Sequence, residues 1–269
     1  MRKLIDILLF LSLMISGAAA QESSSDPYKL ILDRLAGVVT EPIQDWHLHT
    51  DIPHPEDPSL NDSDWQTISP SASTNDNAPN HWTGPRVLRR WIEVPETIHG
   101  YSTRNARVKL DLNIGSDREM VLTIFVNGSV VFRGSGEMQQ PILLAEVAQP
   151  GQKFLIAVRV DAADIDTALF RGRLLIEPPA GRPDPALVRD EILAARPLIA
   201  AYADGRSERE QALDAAVKAI NFAPLDRGDQ EGFDQTLRNA QAKLETLNSW
   251  MKGFTIRAVG NSHIDMAWL

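Results

Sequence analysis

Two β-strands joined by a tight turn are predicted by the stretch Met120-Val121-Leu122-Thr123-Ile124-Phe125-Val126-Asn127-Gly128-Ser129-Val130-Val131-Phe132-Arg133. Apolar, aromatic and β-branched residues dominate both arms, as is typical of strands that bury one face. Asn127 and Gly128 lie between the arms, and both residues tolerate the positive φ values that a two-residue hairpin turn requires. The stretch therefore predicts an antiparallel β-hairpin.

Further strand-like runs flank this hairpin and are separated by Gly, Pro, Asn and Asp. The predicted strands are Val87–Val94, Val108–Leu112, Met120–Val126, Val130–Arg133, Phe154–Val160 and Arg171–Ile176. Short strands at regular spacing with turn chemistry between them favour an antiparallel sandwich. Residues 46–178 are accordingly predicted to form a jelly-roll-like β-sandwich.

A helical connector is predicted to follow, over residues 179–253. Asp184 is a good N-cap for a helix with Pro185 at its first position, and Ser207 with Glu210 forms a capping-box pattern. A third helix is expected from about Gln230 to Lys252, where Phe233, Leu237, Ala240, Leu244 and Leu247 form one apolar stripe. An autonomous bundle or a coiled coil is the alternative, but the stripes last too few heptads for a coiled coil.

The first twenty residues have the pattern of a secretory signal peptide. A basic start (Arg2, Lys3) precedes an apolar run from Leu8 to Ile15 and the small residues 18–20. The apolar run is shorter than the ~20 residues that a membrane span needs, and no later stretch is apolar enough to span. We therefore expect export to the periplasm or the cell exterior, with residues 21–45 as the N-terminal segment of the mature chain.

Composition limits the classes of partner. Residues 1–20 contain two basic residues and one acidic residue, so 25 basic and 35 acidic residues remain without them, a net charge of about −10. Nucleic acid is an unsuitable partner for such a chain, whereas a neutral glycan needs no positive field. The absence of cysteine excludes disulfides and thiolate metal sites, which leaves His, Asp and Glu as strong metal ligands.

The end of the sequence contains candidate metal ligands. Residues 254–259 alternate as a buried strand would, and the chain continues Gly260-Asn261-Ser262-His263-Ile264-Asp265-Met266-Ala267-Trp268-Leu269. If the extended backbone continues, His263 and Asp265 lie on one face and can bind one zinc ion. A catalytic zinc takes three or more protein ligands, so this pair is an incomplete site; a hydrogen-bonded pair without metal is the alternative.

This terminal string resembles the opening of the catalytic domain in glycoside hydrolase family 38, the zinc-dependent α-mannosidases. The resemblance implies that His263 and Asp265 are zinc ligands and that Trp268 lines the pocket for mannose. It further implies that residues 254–269 begin a truncated α/β barrel and that the chain is the N-terminal part of an exported enzyme that cleaves mannose-containing glycans with retention. No catalytic carboxylate lies within the fragment, which alone is expected to be inactive.

Several segments of the predicted sandwich resemble the galactose-binding-like jelly roll that precedes the catalytic barrel in many glycoside hydrolases. They are Asp64-Trp65-Gln66, Arg90-Trp91-Ile92-Glu93-Val94-Pro95, Phe125-Val126-Asn127-Gly128 and Gly151–Val160. In such enzymes the module is mostly structural, although related sandwiches bind sugars. A non-catalytic carbohydrate-binding protein is therefore an alternative function, and a structural domain without a ligand is another. The oligomeric state and the identity of the metal ion stay open.

Two more groups of residues are candidates for binding. Trp46, Trp65, Trp82 and Trp91 offer indole faces for stacking on sugars, although core packing is the favoured interpretation. His47, His49, Asp51 and His54 form a second metal-like cluster, because His47 and His49 would share one face of a strand. Pro53, Pro55 and Pro58 make this segment irregular, so a solvated loop is the default interpretation.

Overall fold

The computed structural model describes residues 26, 28–73, 75, 78–116, 120–135, 141–162 and 166–255. These residues form mostly antiparallel β-sheet, followed by helices. The predicted signal peptide (residues 1–20) and nearly all of the predicted catalytic-domain start (residues 254–269) lie outside them. No part of the expected α/β barrel is seen within the described ranges, and the domain boundaries stay predictions.

The strands of the described chain are, in chain order, β1 (Thr40–Pro42), β2 (Trp46–Thr50), β3 (Gln66–Ile68), β4 (His81–Thr83), β5 (Arg86–Glu93), β6 (Thr97–Ile98), β7 (Tyr101–Ser102), β8 (Arg107–Ser116), β9 (Val121–Val126), β10 (Ser129–Ser135), β11 (Ile142–Ala145), β12 (Lys153–Asp161) and β13 (Asp166–Glu177). Each of the six predicted strands is present, and all but β9 extend further than predicted at one or both ends. The additional strands are short.

Two large sheets and one small ribbon arise from these strands. One large sheet has the order β10-β9-β12-β5-β2-β3; the other has the order β1-β13-β8-β11, with β4 also paired to β13. Strands β6 and β7 form the ribbon. The predicted hairpin is confirmed: β9 pairs with β10 around Asn127 (φ 48°) and Gly128 (φ 85°), both in the left-handed region.

Both large sheets contribute to one buried core. Period-two alternation on β8 places Val108, Leu110, Leu112 and Ile114 in this core, and β12 contributes alternate residues in the same way. The sheets also touch directly, because the indole of Trp46 on β2 lies against Gly172 on β13. A Cβ atom at Gly172 would lie 3.0 Å from the indole Nε1, so a larger residue there would force the indole or the strand to shift by a few tenths of an ångström.

The helices of the described chain are α1 (Lys29–Gly37), α2 (Pro185–Ala201), α3 (Arg206–Ala219), α4 (Ala223–Asp226), α5 (Gln230–Leu244) and α6 (Asn248–Met251), with a 3-10 turn at Glu245–Leu247. The predicted cap of α2 is confirmed, since Asp184 accepts a hydrogen bond from the Ala186 amide at 2.8 Å. The apolar stripe of the third predicted helix is buried as expected, although the helix is interrupted by the 3-10 turn.

The predicted capping box at Ser207 and Glu210 is wrong. Helix α3 begins at Arg206, and its N-cap residue is Gly205 with φ 60°. Gly205 adopts this left-handed conformation at low steric cost, and the chain enters the helix before Ser207 is reached. The start of α3 is therefore set by the backbone conformation of Gly205 and not by a side-chain cap.

The helices pack on the β6–β7 ribbon and on the N-terminal segment. Their buried residues belong to the same core as those of the two large sheets. The Tyr101 hydroxyl donates to the Pro183 carbonyl at 3.2 Å. At the N-terminus, Arg196 of α2 donates to Asp26 at 2.6 Å, and the Tyr28 hydroxyl donates to Asp214 of α3 at 2.8 Å. Within the described ranges, none of the helices combines the length and apolar character of a membrane span.

Candidate functional site

The predicted zinc ligands His263 and Asp265 and the predicted sugar-lining Trp268 lie outside the described residues, so their roles stay predictions. Within the described part of the chain, no group of three or more His, Asp or Glu side chains is arranged to hold a metal ion.

The four tryptophans of the two-sheet region have different environments. Trp46 is fully buried and donates from Nε1 to the Ile43 carbonyl at 3.1 Å, and Trp82 is buried as well. Trp65 is half-buried and stacks on His49, with 4.7 Å between ring centroids. Trp91 is 47% exposed. Core packing thus accounts for Trp46 and Trp82, whereas Trp91 offers an indole to solvent.

Strand β5 positions Trp91 through its alternation. Leu88 and Ile92 point into the core, so Arg89, Trp91 and Glu93 lie on the opposite, outer face of the six-stranded sheet. Cross-strand pairing places Leu155 of β12 opposite Trp91 and Lys153 opposite Glu93. The indole is therefore held on a regular strand, with Leu155 of β12 as its cross-strand neighbour.

A cleft of about 310 Å³ lies beside this indole. It is lined by Trp91, Ile92, Glu93 and Lys153, and the Lys153 ammonium lies 3.3 Å from the Glu93 carboxylate. Both charged side chains are largely solvent-exposed, so the pair contributes little to stability. An apolar platform next to a donor and an acceptor is suited to a pyranose ring, which has an apolar face and a rim of hydroxyls.

Arg89, two residues before Trp91 on the same face, is completely buried. The β2–β3 loop (residues 51–65) covers it: Arg89 donates to the Asp62 carboxylate and the Asp57 carbonyl, each at 3.0 Å, and to the Pro55 carbonyl. A buried guanidinium is tolerated because these acceptors satisfy its donors. Arg89 thus holds the loop against the sheet and is not a candidate binding residue.

The predicted histidine cluster is only partly assembled. His47 and His49 do share one face of β2, as predicted, but they have separate partners. His47 Nδ1 lies 3.3 Å from Asp62, His49 stacks on Trp65, and His54 lies near Glu56 in the loop. Asp51 pairs with Arg159 at 2.9 Å. The cluster attaches the β2–β3 loop to the sheet, so its residues are better explained by structure than by metal binding.

Sequence reasoning missed Glu93 and Lys153. Both occur in the segments singled out as jelly-roll-like, yet neither was identified as a binding residue. The alternation of Leu88 and Ile92 already predicts that Trp91 and Glu93 face away from the core. The register that brings Lys153 opposite Glu93 depends on long-range pairing and is not visible in the sequence.

Comparison with protein-family models gave no match, and comparison with curated proteins gave none either. Solved structures do match part of the chain. One is a glycosyl hydrolase family 2 member from Bacteroides cellulosilyticus DSM 14838, at 19% identity and a TM-score of 0.38, with 51% of this chain and 20% of that chain covered. Another is a Bacteroides uniformis beta-glucuronidase, at 21% identity and a TM-score of 0.39, with 52% and 18% covered.

A third match is a β-glucuronidase from Ruminococcus gnavus in complex with D-glucuronic acid, at 16% identity and a TM-score of 0.37, with 52% of this chain and 30% of that chain covered. The chain thus spans less than a third of the length of these structures. With TM-scores below 0.5, they do not assign this chain to a family.

The predicted membership in glycoside hydrolase family 38 is wrong, and so is the predicted function as part of a zinc-dependent α-mannosidase. The solved structures just described are family 2 enzymes and β-glucuronidases. The physical reason for the error is the brevity of the matching string, which spans about ten residues and contains two ligands of a site that needs more.

Proposed function

We propose that the two sheets form a jelly-roll-like sandwich that binds carbohydrate, without catalysing a reaction itself, as one region of a glycoside hydrolase. The observation that carries the proposal is the exposed indole of Trp91 beside the cleft formed with Glu93 and Lys153. An exposed indole on a rigid strand supplies a large contact area at a low cost in side-chain entropy.

The chemistry of the cleft favours a sugar ring over other small molecules. The indole face complements the apolar face of a pyranose, while the Glu93 carboxylate accepts and the Lys153 ammonium donates hydrogen bonds to hydroxyls. Because the two charges neutralise each other, the cleft does not require a charged ligand. Neutral hexoses and their oligomers are therefore the ligand class that we infer.

The wider setting in a glycoside hydrolase rests on the jelly-roll resemblance of Arg90–Pro95 and Gly151–Val160. These two segments include the parts of β5 and β12 that line the cleft. Export, which we also propose, rests on the pattern of residues 1–20. The intact mass of the secreted protein tests export, because cleavage after Ala20 removes a defined mass.

Calorimetric titration of the purified chain with neutral oligosaccharides tests carbohydrate binding. We expect millimolar or tighter affinity for at least one oligosaccharide and loss of measurable binding in Trp91→Ala. Tyr202→Ala is the matched control, because Tyr202 has the same 47% exposure but lies at the end of α2, outside the cleft.

Trp91→Phe keeps an aromatic face and should keep part of the affinity, which separates stacking from a general loss of surface. Glu93→Gln should weaken binding without abolishing it, since an amide oxygen still accepts hydrogen bonds. Equal affinity of the wild-type chain and Trp91→Ala for every oligosaccharide would contradict the proposal.

A further inference from the structure

Strand β4 places a histidine side chain in the interior of the molecule. His81 is the first residue of β4 and pairs with Ala168 of β13. Its side chain is 4% exposed, and its ring lies edge-on to the ring of Phe170, with 6.1 Å between the centroids. The imidazole is therefore nearly excluded from water, so each of its nitrogens needs a partner within the protein.

Both ring nitrogens of His81 face oxygen atoms that accept hydrogen bonds. Nδ1 lies 2.8 Å from the Asp166 carboxylate of β13, and Nε2 lies 3.0 Å from the Ser73 carbonyl. An ionised carboxylate and a carbonyl cannot donate, so each contact needs an N–H group of the ring. Neutral imidazole has one N–H group, whereas imidazolium has two. The geometry therefore fits the protonated ring.

The described surroundings of this ring also favour its charged form. Strand β13 contributes the Asp166 carboxylate and the apolar Phe170 ring, and the segment 71–73 contributes the uncharged Ser73 carbonyl. A carboxylate in contact favours imidazolium, whereas burial disfavours it. The two hydrogen bonds decide between these effects, because a neutral ring would leave one acceptor without a donor where water barely reaches.

Loss of the proton would break one of the two contacts. The bond to Asp166 has an ionised acceptor and is the stronger one, so Nδ1 would keep the single N–H group. The lone pair of Nε2 would then face the oxygen of Ser73, and two acceptors repel each other. Ser71 is held independently, since its carbonyl accepts from Asn80 Nδ2 at 3.2 Å and its amide donates to the Leu169 carbonyl at 3.1 Å.

We propose that His81 is a pH-dependent clasp, which holds the backbone at Ser73 against β13 when its ring is protonated and releases it when the ring becomes neutral. Asp166 is the positioning partner that stabilises the proton on the ring. The clasp lies outside the Trp91 cleft, so it does not depend on the proposed carbohydrate function.

An NMR titration of the full chain tests the clasp. We expect the His81 ring to titrate with a pKa above the ordinary histidine value of about 6.5, because the neutral ring loses a contact. The carbonyl carbon shift of Ser73 should change with the same midpoint. The Ser71 carbonyl is the control, because its donor is a side-chain amide that does not titrate. A His81 pKa at or below 6.5 would overturn the proposal, as would a Ser73 shift that does not follow the ring.

The role of Asp166 has its own test in the same titration. Asp166→Asn removes the negative charge beside Nδ1 and should lower the pKa of His81. Glu177→Gln is the matched control, because Glu177 is at the other end of β13, where it pairs with Arg107 and Lys109. Equal effects of the two substitutions on His81 would contradict the role assigned to Asp166.

The stability of His81→Gln checks the sign of the effect. Because the folded value lies above the unfolded value of about 6.5, the contribution of His81 is complete below pH 6.5 and is lost as the pH rises through the folded pKa. In urea unfolding, the unfolding equilibrium constant of His81→Gln should exceed that of the wild-type chain by about 10-fold or more at pH 6, and by less at pH 9. A ratio that does not change with pH would overturn the proposal, and the wild-type titration decides the matter if this variant does not fold.

Discussion

Two neighbouring positions on the outer face of β5 reverse the usual relation between polarity and burial. Arg89 is charged and fully buried, whereas Trp91 is aromatic and 47% exposed. They lie on the same face of the same strand, two residues apart. The difference comes from the β2–β3 loop, which covers Arg89 and supplies its acceptors but leaves Trp91 uncovered. Burial on this face is therefore decided by the loop.

Removal of the charge at Arg89 is expected to have the largest effect on stability. Arg89→Met should lower the free energy of unfolding by about 3–5 kcal/mol, because Asp62 and the loop carbonyls lose their donors. Urea unfolding measures this. Arg90→Met is the control, since Arg90 makes one hydrogen bond, to the Asp45 carbonyl at 3.2 Å. Equal effects of both substitutions would show that Arg89 does not fasten the loop.

Trp46, which is fully buried, is the counterpart of the exposed Trp91 and provides a second test. Gly172→Ala should cost about 1–3 kcal/mol, because the new methyl group would crowd the indole of Trp46, which is buried and held by its hydrogen bond to Ile43. Gly37→Ala is the control, since a Cβ atom there meets nothing within 4 Å. A thermal unfolding midpoint unchanged by Gly172→Ala would mean that the two sheets are free to move apart.

Tyr28 is half-buried, and its substitution is expected to have an intermediate effect on stability. Burial, and then the hydrogen bond to Asp214, raise the pKa of Tyr28 to about 12. Because this value lies above that of the unfolded chain, about 10, the contribution of Tyr28 is complete below pH 10 and is lost as the pH rises through 12. Tyr28→Phe should cost about 0.5–1.5 kcal/mol at neutral pH, from loss of the hydrogen bond.

The pH dependence distinguishes this effect from simple packing. Between pH 10 and 12 the wild-type chain should lose its advantage over Tyr28→Phe, as measured by urea unfolding at each pH. Burial also raises the pKa of Tyr101, but Tyr101 is present in both proteins and its contribution cancels. An advantage that stays constant up to pH 12 would contradict the role assigned to the Tyr28 hydroxyl.

The smallest expected effect on stability is that of Trp91→Ala, which should change the free energy of unfolding by less than about 1 kcal/mol. The exposed indole has no loop above it, so its removal leaves no cavity. A loss as large as that of Arg89→Met would mean that Trp91 is a structural residue, and would weaken its assignment to sugar binding. Urea unfolding alongside Arg89→Met measures both under identical conditions.

The longer strands could be predicted because their side chains alternate and because Asn127-Gly128 suits one type of turn. The strands β1, β3 and β4 have three residues each and are too short for any period to be recognised. The third predicted helix was found from its stripe, whereas the start of α3 depended on the left-handed conformation of Gly205, which competes with the side-chain pattern at Ser207.

The candidate sites were harder to predict than the strands. The four tryptophans look equivalent in the sequence, and only the alternation of Leu88 and Ile92 indicates that Trp91 faces outward. Whether an outward residue is covered depends on a loop whose carbonyls carry no sequence signal, as Arg89 illustrates. Lys153 meets Glu93 beside Trp91 only through the pairing of β12 with β5, so the cleft could not be predicted from local patterns.

The contacts of the N-terminal segment determine when this protein can finish folding during synthesis. Asp26 meets Arg196, and Tyr28 meets Asp214, across 170 and 186 residues. Leu32 and Leu35 of α1 are buried, but helix α2, which α1 contacts, begins only at Pro185 and is made much later than α1. Helix α1 therefore leaves the ribosome with its apolar side uncovered, and about 150 residues separate its end at Gly37 from the start of α2 at Pro185. Long-range contacts form late in this interval, and binding by chaperones is favoured.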